Sequence, residues 1–219
     1  MLCFEDIKNS EIVKTYIRKA DESLIALGYT EHSFAHVGLV AHNCRLILSE
    51  LGFTPREQEI GCIAVYLHDI GNLVNRIDHS QSGAIMAFKI LNDLNMSPVE
   101  IAEIITAIGN HDEGTGKPVS SIAAALIIAD KSDVRRSRVR KTEENSFDIH
   151  DRVNYSVRES KLAISEDKKT ITLILDIDTN YGSVMDYFEI FMQRMILCRN
   201  AANALGMAFR LIINNQSMI

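Results

Sequence analysis

Apolar residues at helical spacing, set behind legible start signals, constrain this chain more than any other feature. Thr54-Pro55-Arg56-Glu57 supplies a threonine cap, a proline at the first helical position and a glutamate that can return a bond to the cap. Ile60, Ile63, Ala64 and Leu67 then follow as one stripe. Ser97-Pro98-Val99-Glu100 repeats the arrangement ahead of Ile101, Ile104, Ile105 and Ile108. Ser120 or Ser121 can cap a further helix with the stripe Ile122, Ala125, Leu126 and Ala129. Residues 6–27, 31–51 and 78–94 also read as helices, the first two stopped by Gly28 and Gly52. Segments that must each bury one face predict a mainly α fold with a packed helical core.

The pattern changes after about residue 145. Val157–Ile164 and Thr170–Ile177 alternate in part and carry β-branched residues, with a polar turn, Ser165-Glu166-Asp167-Lys168-Lys169, between them. A hairpin is predicted there, then a helix over 183–205 and a short strand over 208–213. The chain thus divides into a helical domain, 1–148, and a small C-terminal α+β appendage of ββαβ order, 149–219, suited to dimerisation or regulation. A length of 219 residues with 47% hydrophobic content is enough for a sizeable core.

Charge and cysteine usage narrow the setting. A net charge of −6 argues against a general nucleic-acid binder, which needs basic surface to hold phosphates. Cys3, Cys44, Cys62 and Cys198 form no CxxC pair and read as scattered buried thiols, as in a reducing cytoplasm. The longest apolar runs, such as residues 122–129, fall short of the ~20 residues that span a bilayer, and the N-terminus has no signal-peptide pattern. A cytoplasmic protein with no membrane partner is expected.

Five of the seven histidines, with two aspartates, fall at the starts and ends of these helices. His68-Asp69 closes one stripe and leads into Ile70-Gly71, where glycine can turn the chain away. His36 borders the apolar face of Val37, Val40, Ala41, Cys44 and Leu48, and His79 follows Asp78, which is placed to cap its helix. His111 extends the stripe of Ile101 to Ile108 into a turn. Asp130 ends a strongly apolar helix, where a lone carboxylate is costly. Taken singly, His36 reads as a bonded core histidine and His79 as an exposed first-turn residue. Four separate helix ends offering imidazole or carboxylate point instead to a shared cation, since both donors suit first-row ions such as iron, manganese or zinc.

In this order, His36, His68-Asp69 within Leu67-His68-Asp69-Ile70-Gly71, His79 in His79-Ser80-Gln81-Ser82-Gly83-Ala84, His111 and Asp130-Lys131 resemble the HD-domain metal-dependent phosphohydrolases, over residues 32–133. The resemblance implies an HD-type all-helical core in which these residues converge. It implies that His36, His68, Asp69 and Asp130 bind one divalent metal ion and His79 and His111 a second, with Asp69 bridging. Iron or manganese leads, with zinc and magnesium as alternatives. His32 stands where some members place an extra ligand; four residues before His36 on a shared helix face, it is a candidate metal ligand or a hydrogen-bonding support. A shared aspartate brings two ions to ~3.5–4 Å, and a hydroxide bridging them can attack phosphorus in line.

The same resemblance makes Asp69 and Lys131 the catalytic candidates. Lys131 adjoins the last ligand and a basic run follows it, so Lys131, Arg135, Arg136 and Asn72 are the candidates for contacting a phosphorylated substrate. Asn72 is also a departure, because family members often carry lysine there. Gly114-Thr115-Gly116-Lys117-Pro118 looks like the glycine-rich motif of the HD-GYP cyclic-dinucleotide phosphodiesterases, but Lys117 replaces their tyrosine and Asn110 their first histidine, which disfavours such a substrate. The expected activity is hydrolysis of a phosphoester or phosphoanhydride in a nucleotide or small phosphorylated metabolite. Two alternatives stand beside it: an HD-type di-iron oxygenase, and a metal-containing regulatory or binding module. The partners expected are the small substrate and a second copy in a homodimer.

Overall fold

The computed structural model describes residues 2–219. The helical core is built from α1 (Phe4–Asn9), α2 (Glu11–Ala26), α3 (Phe34–Glu50), α4 (Pro55–Leu67), α5 (His79–Asp93), α6 (Pro98–Gly109) and α7 (Ser121–Lys131). α8 (Ile149–Ser156) then leads into β1 (Val157–Ile164), β2 (Thr170–Ile177), α9 (Val184–Ala204), β3 (Ala208–Ile213) and the two-residue β4 (Gln216–Ser217). The fold is a helical core with a small C-terminal α+β element, as the sequence predicts, with α8 and β4 added to it. Among the described residues, no helix is long and apolar enough to cross a membrane.

The start signals act with different fidelity. The Thr54 side chain accepts from the Glu57 amide while the Glu57 carboxylate accepts from the Thr54 amide at 2.8 Å, a complete capping box. Ser120 accepts from the Ala123 amide at 3.1 Å and fixes the start of α7. Ser97 makes no side-chain cap, and the Glu100 carboxylate that could return a bond to it is drawn instead into a two-point pair with Arg56 of α4 at 2.6 and 2.8 Å. Asp78 does not cap with its side chain either; its backbone is left-handed, with φ 56°.

Residues 6–27 are two helices, not one, broken where Ser10 adopts an extended backbone. Ile7 and Val13 are both buried, yet in one continuous helix they would point ~120° apart, so the break turns both inward. α3 starts only at Phe34, behind the Ser33 cap, which leaves His32 ahead of the helix rather than on a face shared with His36. Gly28 and Gly52 stop α2 and α3 with φ of 81° each, as glycine readily does. Gly71 serves differently from the expected turn. Its φ is ordinary, but a Cβ there would collide with His79 O and lie 2.5 Å from the Gly83 amide, so glycine lets the first turn of α5 approach the His68-Asp69 segment.

α7 lies at the centre of the molecule. Every residue from Ile122 to Lys131 is buried, and the helix packs against α3, α4, α6 and α9. In the sheet, β1 pairs with β2 antiparallel and β2 with β3 parallel, with α9 as the crossover. β2 buries Ile171, Leu173, Leu175 and Ile177 in strict alternation, and β3 rests on α9. Because α9 also packs on α7, the buried apolar residues form one cluster running from Ile7 to Ile213.

Candidate metal centre

Five helices deliver polar groups to one buried point. His36 lies in the first turn of α3, His68 and Asp69 just past α4, His79 at the start of α5, His111 just past α6 and Asp130 near the end of α7, and all are buried. The Asp69 carboxylate stands between two groups. Its Oδ2 is 3.3 Å from His68 Nε2 and 3.7 Å from His36 Nε2, while its Oδ1 is 3.5 Å from His79 Nε2 and 3.9 Å from His111 Nε2. Asp130 Oδ1 completes the first group at 3.3 Å from His36 Nε2 and 3.7 Å from His68 Nε2. In His36, His68 and Asp130, and again in His68, Asp69 and His111, one donor atom from each lies within 4.8 Å of the others.

The far side of each imidazole fixes its protonation. Nδ1 of His68 faces Val65 O at 2.6 Å, that of His111 faces Ile108 O at 2.6 Å, and that of His79 faces Arg76 O at 3.0 Å. His36 Nδ1 is 2.7 Å from Asp133 Oδ2. Carbonyl and carboxylate oxygens only accept, so each Nδ1 carries a hydrogen and each Nε2 is turned to the centre as the atom available to a cation. Two consequences favour a cation. His36 Nε2 and His68 Nε2 are buried without a hydrogen-bond partner. His79 Nε2 and His111 Nε2 stand 3.2 Å apart, where two lone pairs repel; Arg76 Nη1, 3.5 Å from His79 Nε2, offsets part of this and an ion ligated by both would remove the rest. The donor set thus fits divalent ions, and its nitrogens and oxygens match the preferences of first-row metals.

Electrostatics agree. Burial disfavours both carboxylates, but His68 holds Asp69, and Lys131 holds Asp130, well below the usual carboxylate range. Burial would keep His68 neutral; Asp69 outweighs it and raises the imidazole to about 10. Burial pushes His111 well down and lowers His79 as well.

Residues 33–155 match the family model for the HD domain, more than half of the chain. The chain belongs to the HD domain family. An uncharacterized protein of Methanocaldococcus jannaschii is similar, 28% identical over an alignment 173 residues long that covers 68% of this HD chain and 66% of that protein. The HD chain therefore spans just under two thirds of that relative's length. It also resembles the crystal structure of a predicted HD superfamily hydrolase from an uncultured Thermotogales bacterium, with 24% identity and a TM-score of 0.46, over 57% of this chain and 67% of that one.

Around the HD centre the remaining residues read from sequence take different places. Lys131 is buried in its wall, with Nζ 2.7 Å from Asp130 Oδ2 and 3.4 Å from Glu113 Oε2. Asn72 donates from Nδ2 to Asp69 Oδ1 at 3.0 Å and to Asp69 O at 2.9 Å, so it orients the shared carboxylate. His32 lines the wall but is outside both converging donor groups; its Nδ1 meets Thr30 O at 2.7 Å, and burial holds it well below its ordinary value. Arg135 and Arg136 are a correction to the sequence reading, because other partners claim them. Arg135 pairs with Asp133 at 2.8 Å and Glu31 at 2.9 Å. Arg136 lies over the rings of Tyr155 and Tyr181 at 4.4 and 5.0 Å and donates to Tyr155 O at 2.6 Å.

Arg76, Arg138 and Arg194 line the centre instead. Arg138 belongs to the basic run, where no neighbouring residue sets it apart. Arg76 carried a faint signal, four residues after Asn72 and so one helical turn away. Arg194 carried none, lying on α9 more than sixty residues beyond Asp130. Asp133, whose carboxylate supports His36, could have been noticed as a second acid within a turn of Asp130.

Proposed function

We propose that this HD-domain chain is a metal-dependent phosphohydrolase that cleaves a phosphoester or phosphoanhydride of a nucleotide or small phosphorylated metabolite. One observation carries the reading: the two oxygens of Asp69 are divided between two imidazole pairs, within a wall that also presents Lys131, Arg76, Arg138 and Arg194. His36, His68, Asp69 and Asp130 would hold one divalent ion, iron or manganese by preference, and His79, His111 and Asp69 a second. Such ions supply Lewis acidity toward phosphoryl oxygens and acidify a bound water.

The chain's own groups account for the rest. Ionised Asp69 and Asp130 with imidazoles anchored through Nδ1 form a ligand set for cations, His68 giving up its Nε2 proton as an ion enters. Lys131, kept charged by Asp130 and Glu113 against its burial, and the arginines offset negative charge that builds on the phosphoryl oxygens. The wall around the centre is made of imidazoles, carboxylates and cations, so it supplies position and charge to a phosphoryl group.

The test is phosphate release from a panel of nucleotides and phosphoesters by the manganese- or iron-loaded protein, with metal content measured alongside. Release that disappears in His68→Ala and Asp69→Ala supports hydrolysis. Oxygen consumption with a mixed-valent iron signal and no phosphate release would assign the chain to di-iron oxygenase chemistry. Folded protein that binds a ligand without metal or turnover would make it a binding module.

A further inference from the structure

Beside the metal centre lies a chamber of about 330 Å³. His32, Arg76, Arg138 and Arg194 form the wall common to both, and Tyr29 and Asn154 stand further out. The three guanidinium groups are held differently. Arg138 is buried, donates to Glu31 O at 2.9 Å and Asp133 O at 2.7 Å, and has Asp133 Oδ2 at 3.7 Å. Arg194 donates to Glu113 Oε1 at 2.5 Å and lies over the Phe191 ring. Arg76 bonds only neutral groups among the described residues: Asn72 Oδ1 at 3.2 Å and His79 Nε2 at 3.5 Å, with the Tyr29 ring centroid at 5.5 Å.

Charge balance decides what such a wall suits. Two divalent ions set against Asp69 and Asp130 leave two positive charges, which a bound hydroxide and a phosphoryl group take up at the centre. Glu113 is shared between Lys131 and Arg194, and Arg76 has no carboxylate partner among the described residues. The acids of the outer chamber, Asp148 and Asp151, are both engaged by Lys141 at 3.2 and 2.5 Å. The cation of the common wall left without a carboxylate is thus Arg76, and its forked donors beside Arg138 and Arg194 suit a second phosphoryl group.

We infer that the chamber holds a second phosphoryl group of the same substrate, gripped by Arg76 with Arg138 and Arg194, so that the chain selects molecules carrying two phosphoryl groups. This rests on the phosphohydrolase reading for the first group and concerns only the second. Such a substrate comes from a kinase-type reaction that transfers one phosphoryl group to a molecule already carrying the first.

The test compares adenosine 5′-monophosphate with ADP and adenosine 3′,5′-bisphosphate on the manganese-loaded protein, reading affinity by calorimetry and phosphate release in the same mixtures. At least one doubly phosphorylated probe should bind roughly 10- to 100-fold tighter than the monophosphate, the worth of one charge-assisted contact. Arg76→Gln should bring that ratio to within about threefold of unity, and Arg76→Lys should keep part of it, since lysine retains the charge but not the fork. Arg76 is half-buried, so a thermal melt reports whether the glutamine variant folds. If it does not, the lysine variant and a salt titration decide, because the preference must shrink as salt screens it. Equal affinities in the unaltered protein, or a preference unchanged in a folded Arg76 variant or by salt, overturns the inference. Preference without phosphate release leaves the second seat standing and removes the hydrolase reading; release without preference does the reverse.

Discussion

Where His79 and His111 turn their Nε2 atoms toward each other at 3.2 Å, the chain accepts a local repulsion that a cation relieves. The same logic predicts how metal uptake depends on pH. Asp69 raises His68 to about 10, so the imidazole is protonated through the neutral range and a cation must displace that proton. Affinity should therefore rise with pH by about tenfold per unit between neutrality and pH ~9, with one proton released per ion at that site. Calorimetry in buffers of different ionisation enthalpy measures that release. Asp133 makes a second prediction at this scale. Replacing its carboxylate by an amide weakens the bond that orients His36, so Asp133→Asn should lose about 10- to 100-fold in metal affinity, read by chelator competition. The ligands themselves were legible because they sit at the ends of apolar stripes. The cations were not: nothing in the linear run separates Arg135 and Arg136, drawn to Glu31, Asp133, Tyr155 and Tyr181, from Arg138, which faces the site.

At the level of elements, local signals held where their partners are local. Thr54 and Glu57 cap α4 within one turn, whereas Glu100 abandons Ser97 for Arg56, forty-four residues away, a competition that no window along the chain reveals. His32 was read onto α3 because four-residue spacing ignores where a helix begins; Ser33 decides that. Gly71 carries the sharpest consequence. In Gly71→Ala the added methyl meets His79 O and the α5 backbone, so the helix must move away from His68-Asp69, at a cost of roughly 1–3 kcal/mol as in overpacked interiors. Chemical denaturation should show that loss, and elemental analysis should show reduced metal content, since His79 moves with the helix.

For the whole molecule, the division of the sequence into residues 1–148 and 149–219 meets a physical cost. α7 is sheathed on all sides, and α9 supplies one of those sides. A polypeptide of residues 1–148 would present that face of α7 to water, together with a Glu113 deprived of Arg194. It should be poorly soluble or molten, with helical far-ultraviolet dichroism but no cooperative thermal transition. A soluble, cooperatively melting 1–148 chain would instead establish the helical part as an independent unit.

The parallel pairing of β2 with β3 has a consequence in time. Thr170 meets Ala208, and the partner strand cannot dock until α9 has crossed between them. Pairings of long sequence separation form late, and a chain emerging from the ribosome at ~5–20 residues per second presents its N-terminal portion first. All six metal donors are made by Asp130, but Arg194 rides on the crossover helix and is secured only after Ile213 has been added. Arg194 is thus the last part of the wall to arrive, after every donor of the centre has already been made.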